Sequence, residues 1–167
     1  MRLLIQRVSR ASVEVGGTLT GEEVGGTLTG EIGAGCLVFV GCRFDDTEKD
    51  AAYLAGKLCA LRVFPDGEGK MNLSLAQTGG SALLVSQFTL YADTSRGNRP
   101  GFEEAGDPET AQRNFATFVS EVRRLLGPEK TATGIFAAEM RVSLINEGPV
   151  TINLTSDSQP WKNAEKK

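Results

Sequence analysis

The chain has 167 residues, of which 40% are hydrophobic and 23% charged, with a net charge of −3 and no histidine. This length and composition are typical of one globular domain, and the acidic balance argues against a protein that coats nucleic acid through bulk charge. The absence of histidine excludes a histidine-based catalytic triad and a histidine-ligated metal site.

Residues 1–15 alternate apolar and polar side chains, which predicts a strand. Arg7 interrupts the apolar start before the core of a signal peptide could form. A nine-residue unit then occurs twice in tandem, at 15–23 and at 24–32. Both copies begin with Val-Gly-Gly-Thr-Leu-Thr-Gly-Glu, and the first ends in Glu23 while the second ends in Ile32. One repeat of so short a unit is too little for a solenoid, and its Gly-Gly pairs favour a lengthened hairpin or loop without a functional role.

The next two predicted elements are a buried strand and a helix. The apolar run Cys36–Gly41 predicts the strand, and it is far too short to span a membrane. Thr47 and Asp50 fit a capping box that begins a helix over about 47–61. The apolar stripe of this helix is formed by Leu54, Leu58 and Leu61.

The three cysteines do not predict a disulfide. Cys36 and Cys42 lie in one apparent strand, where six residues at about 3.3 Å each separate them by roughly 20 Å. Cys59 falls in the predicted helix. We therefore expect buried, reduced thiols in a cytoplasmic protein.

The second half of the chain predicts another helix between strands. Asp107 and Pro108 are typical of a helix start, and Gly127-Pro128 ends its apolar stripe. The other predicted segments are a turn at 65–69, strands at 81–91, 134–145 and 149–155, and a polar loop at 92–106. Together the elements predict an α/β fold: a mixed, largely antiparallel curved sheet packed on two helices in a single domain, 1–155, with a polar tail at 156–167.

Two short segments join apolar runs to polar turns: Ser86-Gln87-Phe88-Thr89-Leu90-Tyr91 and Asn146-Glu147-Gly148-Pro149-Val150-Thr151. Polar side chains that end a buried strand either bond to neighbouring backbone or face a cleft, and spacing alone leaves both open. Gly148-Pro149 is typical of an ordinary turn, and a cis bond occurs at only about 5–6% of X–Pro positions. The chain has no Walker loop, no dinucleotide-binding glycine motif and no C-x-x-C pair.

Several charged residues lie in predicted loops. Arg96, Arg99 and Lys70 could form a local basic patch despite the negative net charge. Glu103-Glu104 is better interpreted as part of a solvated loop than as a metal site.

The two segments resemble the two signature motifs of the D-aminoacyl-tRNA deacylase family. Five further stretches resemble the family in the same order: Leu4-Ile5-Gln6-Arg7-Val8, Ala11-Ser12-Val13, Gly30-Glu31-Ile32-Gly33-Ala34-Gly35, Gly69-Lys70-Met71-Asn72 and Arg96-Gly97-Asn98-Arg99-Pro100. The resemblance extends from residue 1 to about residue 154 and is broken only by the tandem repeat.

This resemblance implies a carboxylic ester hydrolase that releases D-amino acids from tRNA and proofreads chirality. It implies a cytoplasmic homodimer with no cofactor, no metal and no membrane contact, whose partner is the 3′ end of aminoacyl-tRNA. Gly148-Pro149 would carry a cis bond and reach into the active site of the partner subunit. Arg7 would brace this motif by hydrogen bonding, and Val150 and Thr151 would complete it.

The catalytic residues implied by the resemblance are Ser86, Gln87, Phe88 and Thr89. An aminoacyl ester is already activated, so holding its carbonyl and a water in attack geometry supplies much of the rate. We expect the backbone N–H groups of Phe88 and Thr89 to be oxyanion donors, assisted by the ribose 2′-OH. Thr89 as a nucleophile is the alternative, but it would need a base, and none is obvious.

Chirality can be read by exclusion. If the carbonyls of Gly148 and Pro149 line the pocket, an L side chain would meet backbone and a D side chain would point to solvent. We therefore expect tolerance for many D-amino acids and incomplete rejection of glycine. The resemblance further implies that Gly mischarged on tRNA(Ala) is a substrate.

Two other functions remain open. One is a non-catalytic nucleic-acid-binding dimer of the same fold, which the acidic composition disfavours. The other is a Thr- or Ser-dependent esterase for small metabolites.

Overall fold

The computed structural model describes residues 1–16, 26–159 and 162. Within this part of the chain there are eight strands: β1 Arg2–Val15, β2 Thr27–Ile32, β3 Gly35–Gly41, β4 Arg62–Pro65, β5 Met71–Ser74, β6 Ser81–Ser86, β7 Thr131–Thr133 and β8 Met140–Thr155. The α-helices are α1 Glu48–Ala60, α2 Leu75–Thr78 and α3 Pro108–Leu126, and 3-10 turns lie at Phe88–Tyr91 and Pro128–Lys130. No helix in these ranges is both long and apolar enough to cross a membrane.

Strand β1 organises the main sheet because it pairs with three other strands. It runs antiparallel to β8 along its whole length, from Arg2 opposite Thr155 to Val15 opposite Met140. On its other edge it pairs antiparallel with β3 and then with β2. Parallel pairing of β3 with β6 and of β6 with β7 completes the sheet, while β4 and β5 form a separate hairpin. The predicted mixed, largely antiparallel sheet is confirmed.

Two apolar clusters hold the layers together. The larger one joins the sheet to α1 and α3, with Ile5, Val38, Leu54 and Phe118 among its buried members. The smaller one lies on the opposite face of the sheet, around Leu37. Strand β3 is therefore buried on both faces, which explains why its sequence is continuously apolar instead of alternating.

Both long helices begin and end where the sequence predicts. Thr47 and Asp50 form the capping box of α1, in which the Thr47 backbone N–H donates to Asp50 Oδ2 at 2.9 Å. The Asp107 carboxylate accepts from the Thr110 backbone N–H at 3.0 Å, and Pro108 takes the first helical position of α3. These caps use local side chains, so the sequence is sufficient to place them.

Three predicted strand boundaries are wrong. The strand predicted over 81–91 ends at Ser86, because the chain turns into the 3-10 helix after Gln87 donates its backbone N–H to Val40 O. The strand predicted from residue 134 begins only at Met140, after a loop in which Ala137 has a φ of 59°. Strand β8 also continues past the predicted break at Gly148-Pro149. The short elements β5, α2 and β7 were not predicted.

The start of the predicted tail is docked on the body of the protein. Ser156 is buried, and its backbone N–H donates to Met1 O at 3.1 Å. Lys162 Nζ donates to Asp46 Oδ1 and lies 3.3 Å from Asp45 Oδ1. Residues 160, 161 and 163–167 lie outside the described part of the chain.

The tandem repeat lies in the β1–β2 connection. Its second copy supplies β2, which is antiparallel to β1 with Val15 opposite Thr27. Ile32, the last residue of this copy, lies opposite Ala11 and is only 6% exposed. Residues 17–25, which hold most of the first copy, lie outside the described residues, so the prediction that the insertion is neutral remains a prediction.

Deleting residues 16–24 is expected to stabilise the protein. The deletion would join Val15 to Gly25-Gly26-Thr27 and replace an eleven-residue connection, 16–26, by a two-glycine loop suited to a type I′ turn. Shortening the loop lowers the entropy cost of closing it by about 1.5 kcal/mol. Thermal unfolding should show a Tm higher by roughly 3–6 °C. A lower Tm would show that residues 16–24 themselves make stabilising contacts.

Candidate functional site

A cavity of about 610 Å³ opens beside the end of β6. Its walls are mostly apolar and come from strand ends, from segment 102–111 and from segment 136–142. Ser86 and Gln87 bring polar side chains to it, and Phe88, Phe102 and Phe136 bring aromatic rings. A mostly apolar cavity with a few convergent polar groups is the usual form of a small-molecule site.

The first signature segment reaches this cavity because β6 ends there. Ser86 is opposite Val40 in the parallel β3–β6 pair, and the next residue, Gln87, makes the last strand-like bond, 2.8 Å from its N to Val40 O. The chain then forms the 3-10 turn. Phe88 is 57% exposed, and its ring meets that of Phe102 edge-on, with 4.9 Å between ring centroids.

The backbone N–H groups of Phe88 and Thr89 donate to no acceptor among the described residues. They are the first N–H groups of a helical turn, which have no partner inside the turn. An oxyanion donor must be free before substrate binds. The geometry of this segment meets that requirement.

The Thr89 hydroxyl is held by Gln87, whose Nε2 donates to Thr89 Oγ1 at 2.6 Å. An amide does not accept a proton at neutral pH, so Gln87 cannot activate this hydroxyl as a nucleophile. Within the described ranges, no carboxylate is hydrogen-bonded to Thr89. The contact favours an orienting role for this side chain.

The second signature segment is a bulge in the β1–β8 ladder. Gln6 is opposite Thr151 and Val8 is opposite Asn146, so Arg7 alone faces the four residues 147–150. The Gly148–Pro149 peptide bond is cis, and Gly148 has a φ of 119°. Both residues are exposed, so the bulge projects from the surface of the protein.

Arg7 lies under this bulge and ties it to a neighbouring strand. Its Nε donates to Glu147 O at 3.1 Å, and its Nη1 donates to Val63 O at 2.5 Å. A Cβ placed on Gly148 would lie 2.7 Å from Arg7 Nη2. The guanidinium therefore occupies the space that a side chain at residue 148 would need.

The two signature segments are not brought together within one chain. In the described part of the protein, the cavity beside Ser86 is lined by no residue of the bulge 147–150, nor by Thr151. Within the described residues of one chain, the two segments therefore do not line the same cavity.

The charged residues near loops separate into two groups. Arg96 and Arg99 lie on an exposed loop closed by paired backbone hydrogen bonds between Asp93 and Gly101, at 2.9 and 2.8 Å, immediately before the cavity residue Phe102. Lys70 is on the β4–β5 hairpin, where Glu68 pairs with it at 2.7 Å. Of these three cations, Arg96 and Arg99 have no ion-pair partner in the described part of the chain.

The cysteines are free and buried, as predicted. Burial raises the pKa of the Cys36 and Cys42 thiols to about 12, so both stay protonated at neutral pH. Cys42 therefore lines the cavity without offering a nucleophile. In the described ranges, no group of three or more His, Cys, Asp or Glu could hold a metal ion.

Sequence reasoning missed residues that come from distant loops. Phe102 and Phe136 line the cavity, and no sequence pattern distinguishes them from core phenylalanines. Asn146 was named in the second signature segment but given no role, and it bonds to both Val150 and Thr151 across the bulge. A signal for it did exist, because asparagine before a turn commonly bonds to backbone a few residues ahead.

The comparisons with known proteins agree with these motifs. The family model described as D-Tyr-tRNA(Tyr) deacylase matches residues 4–155. A D-aminoacyl-tRNA deacylase of Chlorobaculum tepidum is 49% identical over 96% of this chain and 100% of that protein, and one of Opitutus terrae is 48% identical over 95% and 99%. A solved structure named c-Myc DNA Unwinding Element Binding Protein has a TM-score of 0.81 and 38% identity, covering 93% of this chain and 99% of that one.

Proposed function

The chain belongs to the D-Tyr-tRNA(Tyr) deacylase family, and from this membership we propose that it hydrolyses the ester between a D-amino acid and the 3′ end of tRNA. The products are the free D-amino acid and tRNA, and the reaction proofreads chirality in the cytoplasm. The observation that carries the proposal is the pair of free N–H groups of Phe88 and Thr89 beside an apolar cavity. Such donors stabilise the negative charge that develops on an ester carbonyl.

The chemistry needs little beyond this arrangement. The ester is activated, so fixing its carbonyl against the two N–H groups and holding a water nearby supplies much of the acceleration. The ribose 2′-OH beside the ester orients or activates that water. Gln87 fixes the Thr89 hydroxyl at 2.6 Å, and Thr89 contributes by positioning and not by attack.

Chirality is selected by a homodimer in which each bulge completes the other subunit's site. Its support is that the bulge is exposed and lines no part of its own chain's cavity, as far as the described residues show. The carbonyls of the partner subunit's Gly148 and the partner subunit's Pro149 would exclude an L side chain. Glycine has no side chain to exclude, so Gly-tRNA(Ala) is a further substrate.

The test is parallel deacylation of D-Tyr-tRNA and L-Tyr-tRNA by the purified protein. We expect hydrolysis of the D ester and protection of the L ester. Binding of tRNA without turnover of either ester would favour the nucleic-acid-binding alternative, which the name of one similar solved structure, c-Myc DNA Unwinding Element Binding Protein, also suggests. Equally fast turnover of free amino-acid esters would favour a general esterase.

Replacing Thr89 by alanine is expected to slow D-Tyr-tRNA hydrolysis about fivefold without abolishing it, because one positioning hydrogen bond is worth about 1 kcal/mol. Thr117→Ala is the matched control, since the Thr117 hydroxyl donates to Arg113 O in its own helix and has no other partner among the described residues. Single-turnover rates measure the effect. Complete loss of hydrolysis in a folded Thr89→Ala variant would give Thr89 a direct chemical role.

Replacing both Arg96 and Arg99 by alanine is expected to raise KM for D-Tyr-tRNA and leave kcat unchanged. The two cations have no ion-pair partner in the described ranges, and they lie on the loop that directly precedes the cavity residue Phe102, where single-stranded 3′ phosphates would pass. Losing two phosphate contacts should reduce the slope of log KM against log salt concentration by about 1.4, since each phosphate contact on a single strand contributes roughly 0.7 to that slope. The double variant Arg113→Ala/Arg123→Ala on α3 changes net charge equally and should keep the wild-type slope.

A further inference from the structure

The Asn146 side chain bridges the two sides of the bulge where it leaves and rejoins the strand. Asn146 Oδ1 accepts from the Val150 backbone N–H at 3.2 Å, and Asn146 Nδ2 donates to Thr151 Oγ1 at 3.0 Å. Gln6 Nε2, on the facing strand, is 3.4 Å from the same hydroxyl oxygen. The Asn146 amide therefore bonds directly to the two residues at which the bulge ends.

The orientation of this amide is fixed by its partners. A backbone N–H can only donate, so the atom that faces Val150 N must be the oxygen. The nitrogen then faces Thr151, whose hydroxyl oxygen accepts. Both ends of the amide are used, and neither could be reversed without losing the bond to Val150.

Packing alone does not explain an asparagine at this position. Along β8 half-buried side chains alternate with exposed ones. Apart from Asn146, the half-buried side chains outside the bulge are all apolar: Met140, Val142, Leu144, Ile152 and Leu154. Asn146 is the polar member of this apolar face. A half-buried amide needs hydrogen-bond partners, and the bulge supplies them.

We propose that Asn146 is a positioning residue for chirality selection, which holds the bulge from β8 as Arg7 holds it from β1. Arg7 fixes the first residue of the bulge through Glu147 O, and Asn146 fixes the last through Val150 N. Gly148 and Pro149 lie between these two fixed points. This inference rests on the proposed function, because the bulge is where the L side chain would be excluded.

The test compares Asn146→Ala and Asn146→Asp with wild type on D-Tyr-tRNA and L-Tyr-tRNA. In Asn146→Ala the ratio of kcat/KM for D over L should fall at least tenfold, mostly through faster hydrolysis of the L ester. Hydrolysis of the D ester should stay within threefold of wild type. Asn146→Asp should restore most of the ratio, because a carboxylate accepts from Val150 N–H and from the Thr151 hydroxyl.

The control is Asn153→Ala, which removes an exposed amide from the same strand outside the bulge. It should keep the wild-type ratio. An unchanged ratio in Asn146→Ala, or an equal loss on both esters, overturns the inference while the proposed function stands. If Asn146→Ala fails to fold, Thr151→Val, which removes the bond to Nδ2, is judged by the same ratio.

Failure of the proposed function has a different signature. In that case wild type would hydrolyse neither ester, and the inference on chirality would fall with it. Amide exchange at Val150, measured by NMR, would still report the contact. Faster exchange of the Val150 amide in Asn146→Ala would then show that Asn146 stabilises the bulge but has no role in selecting the chirality of the substrate.

Discussion

Replacing Gly35 by alanine is expected to destabilise the protein by about 3 kcal/mol or more. Gly35 is opposite Ser81 in the parallel β3–β6 pair, and a Cβ on it would lie 1.9 Å from Ser81 O and 2.7 Å from Ser81 N. Both atoms belong to backbone, so the clash cannot be relieved by rotating a side chain. The two strands must separate at their first pair.

The consequence should extend to the candidate site. The same pairing, five residues further on, places Ser86 beside Val40 and so sets the position of the Phe88–Tyr91 turn. We expect deacylation to fall together with the free energy of unfolding. Urea denaturation measures the second quantity and D-Tyr-tRNA hydrolysis the first.

Gly33→Ala is the matched control, only two residues away. A Cβ on Gly33 would meet nothing within 4 Å, so this variant should unfold at nearly the wild-type urea concentration. Equal midpoints for Gly35→Ala and Gly33→Ala would contradict the close approach of β3 to β6.

Replacing Gly148 by alanine should lower the ratio of D over L hydrolysis by about 100-fold, the effect typical of a 1 Å displacement in a reacting site. A φ of 119° is unfavourable for any residue with a Cβ. The new methyl would also lie 2.7 Å from Arg7 Nη2 and 3.0 Å from Val150 Cγ2. The bulge must therefore change shape, or Arg7 must leave it.

Gly67→Ala separates this effect from a general effect of alanine. Gly67 lies in the turn between β4 and β5, and a Cβ there would meet nothing within 4 Å. The ratio of D over L hydrolysis of Gly67→Ala should equal that of wild type. A Gly148→Ala protein that still protects L-Tyr-tRNA would refute exclusion by the bulge, whatever its Tm.

The sequence predicts best where structure depends on neighbours in the chain. The limits of α1 and α3 follow from Thr47, Asp107 and Gly127, each of which acts within one helical turn. The end of β6 was mispredicted because Phe88 and Leu90 are apolar enough for a strand. What ends that strand is a bond from Gln87 to Val40, 47 residues earlier.

The same distinction applies to the candidate site. The residues of both signature segments could be named from the sequence, because each segment is continuous. The bulge could not be predicted, since it exists only through the register of β8 against Gln6, Arg7 and Val8. The aromatic wall of the cavity was missed for the same reason, because Phe102 and Phe136 reach it from separate loops.

The tandem repeat gives the chain two nearly identical copies of the sequence that forms β2. The versions differ only at their last residue, Glu23 in the first and Ile32 in the second. Sliding the chain by nine residues would keep the pattern of glycines and threonines that β2 requires, but would bring Glu23 to the buried position opposite Ala11. An unpaired carboxylate in that place costs several kcal/mol. Ile32 therefore determines which copy of the repeat pairs with β1, and so fixes the register of the hairpin.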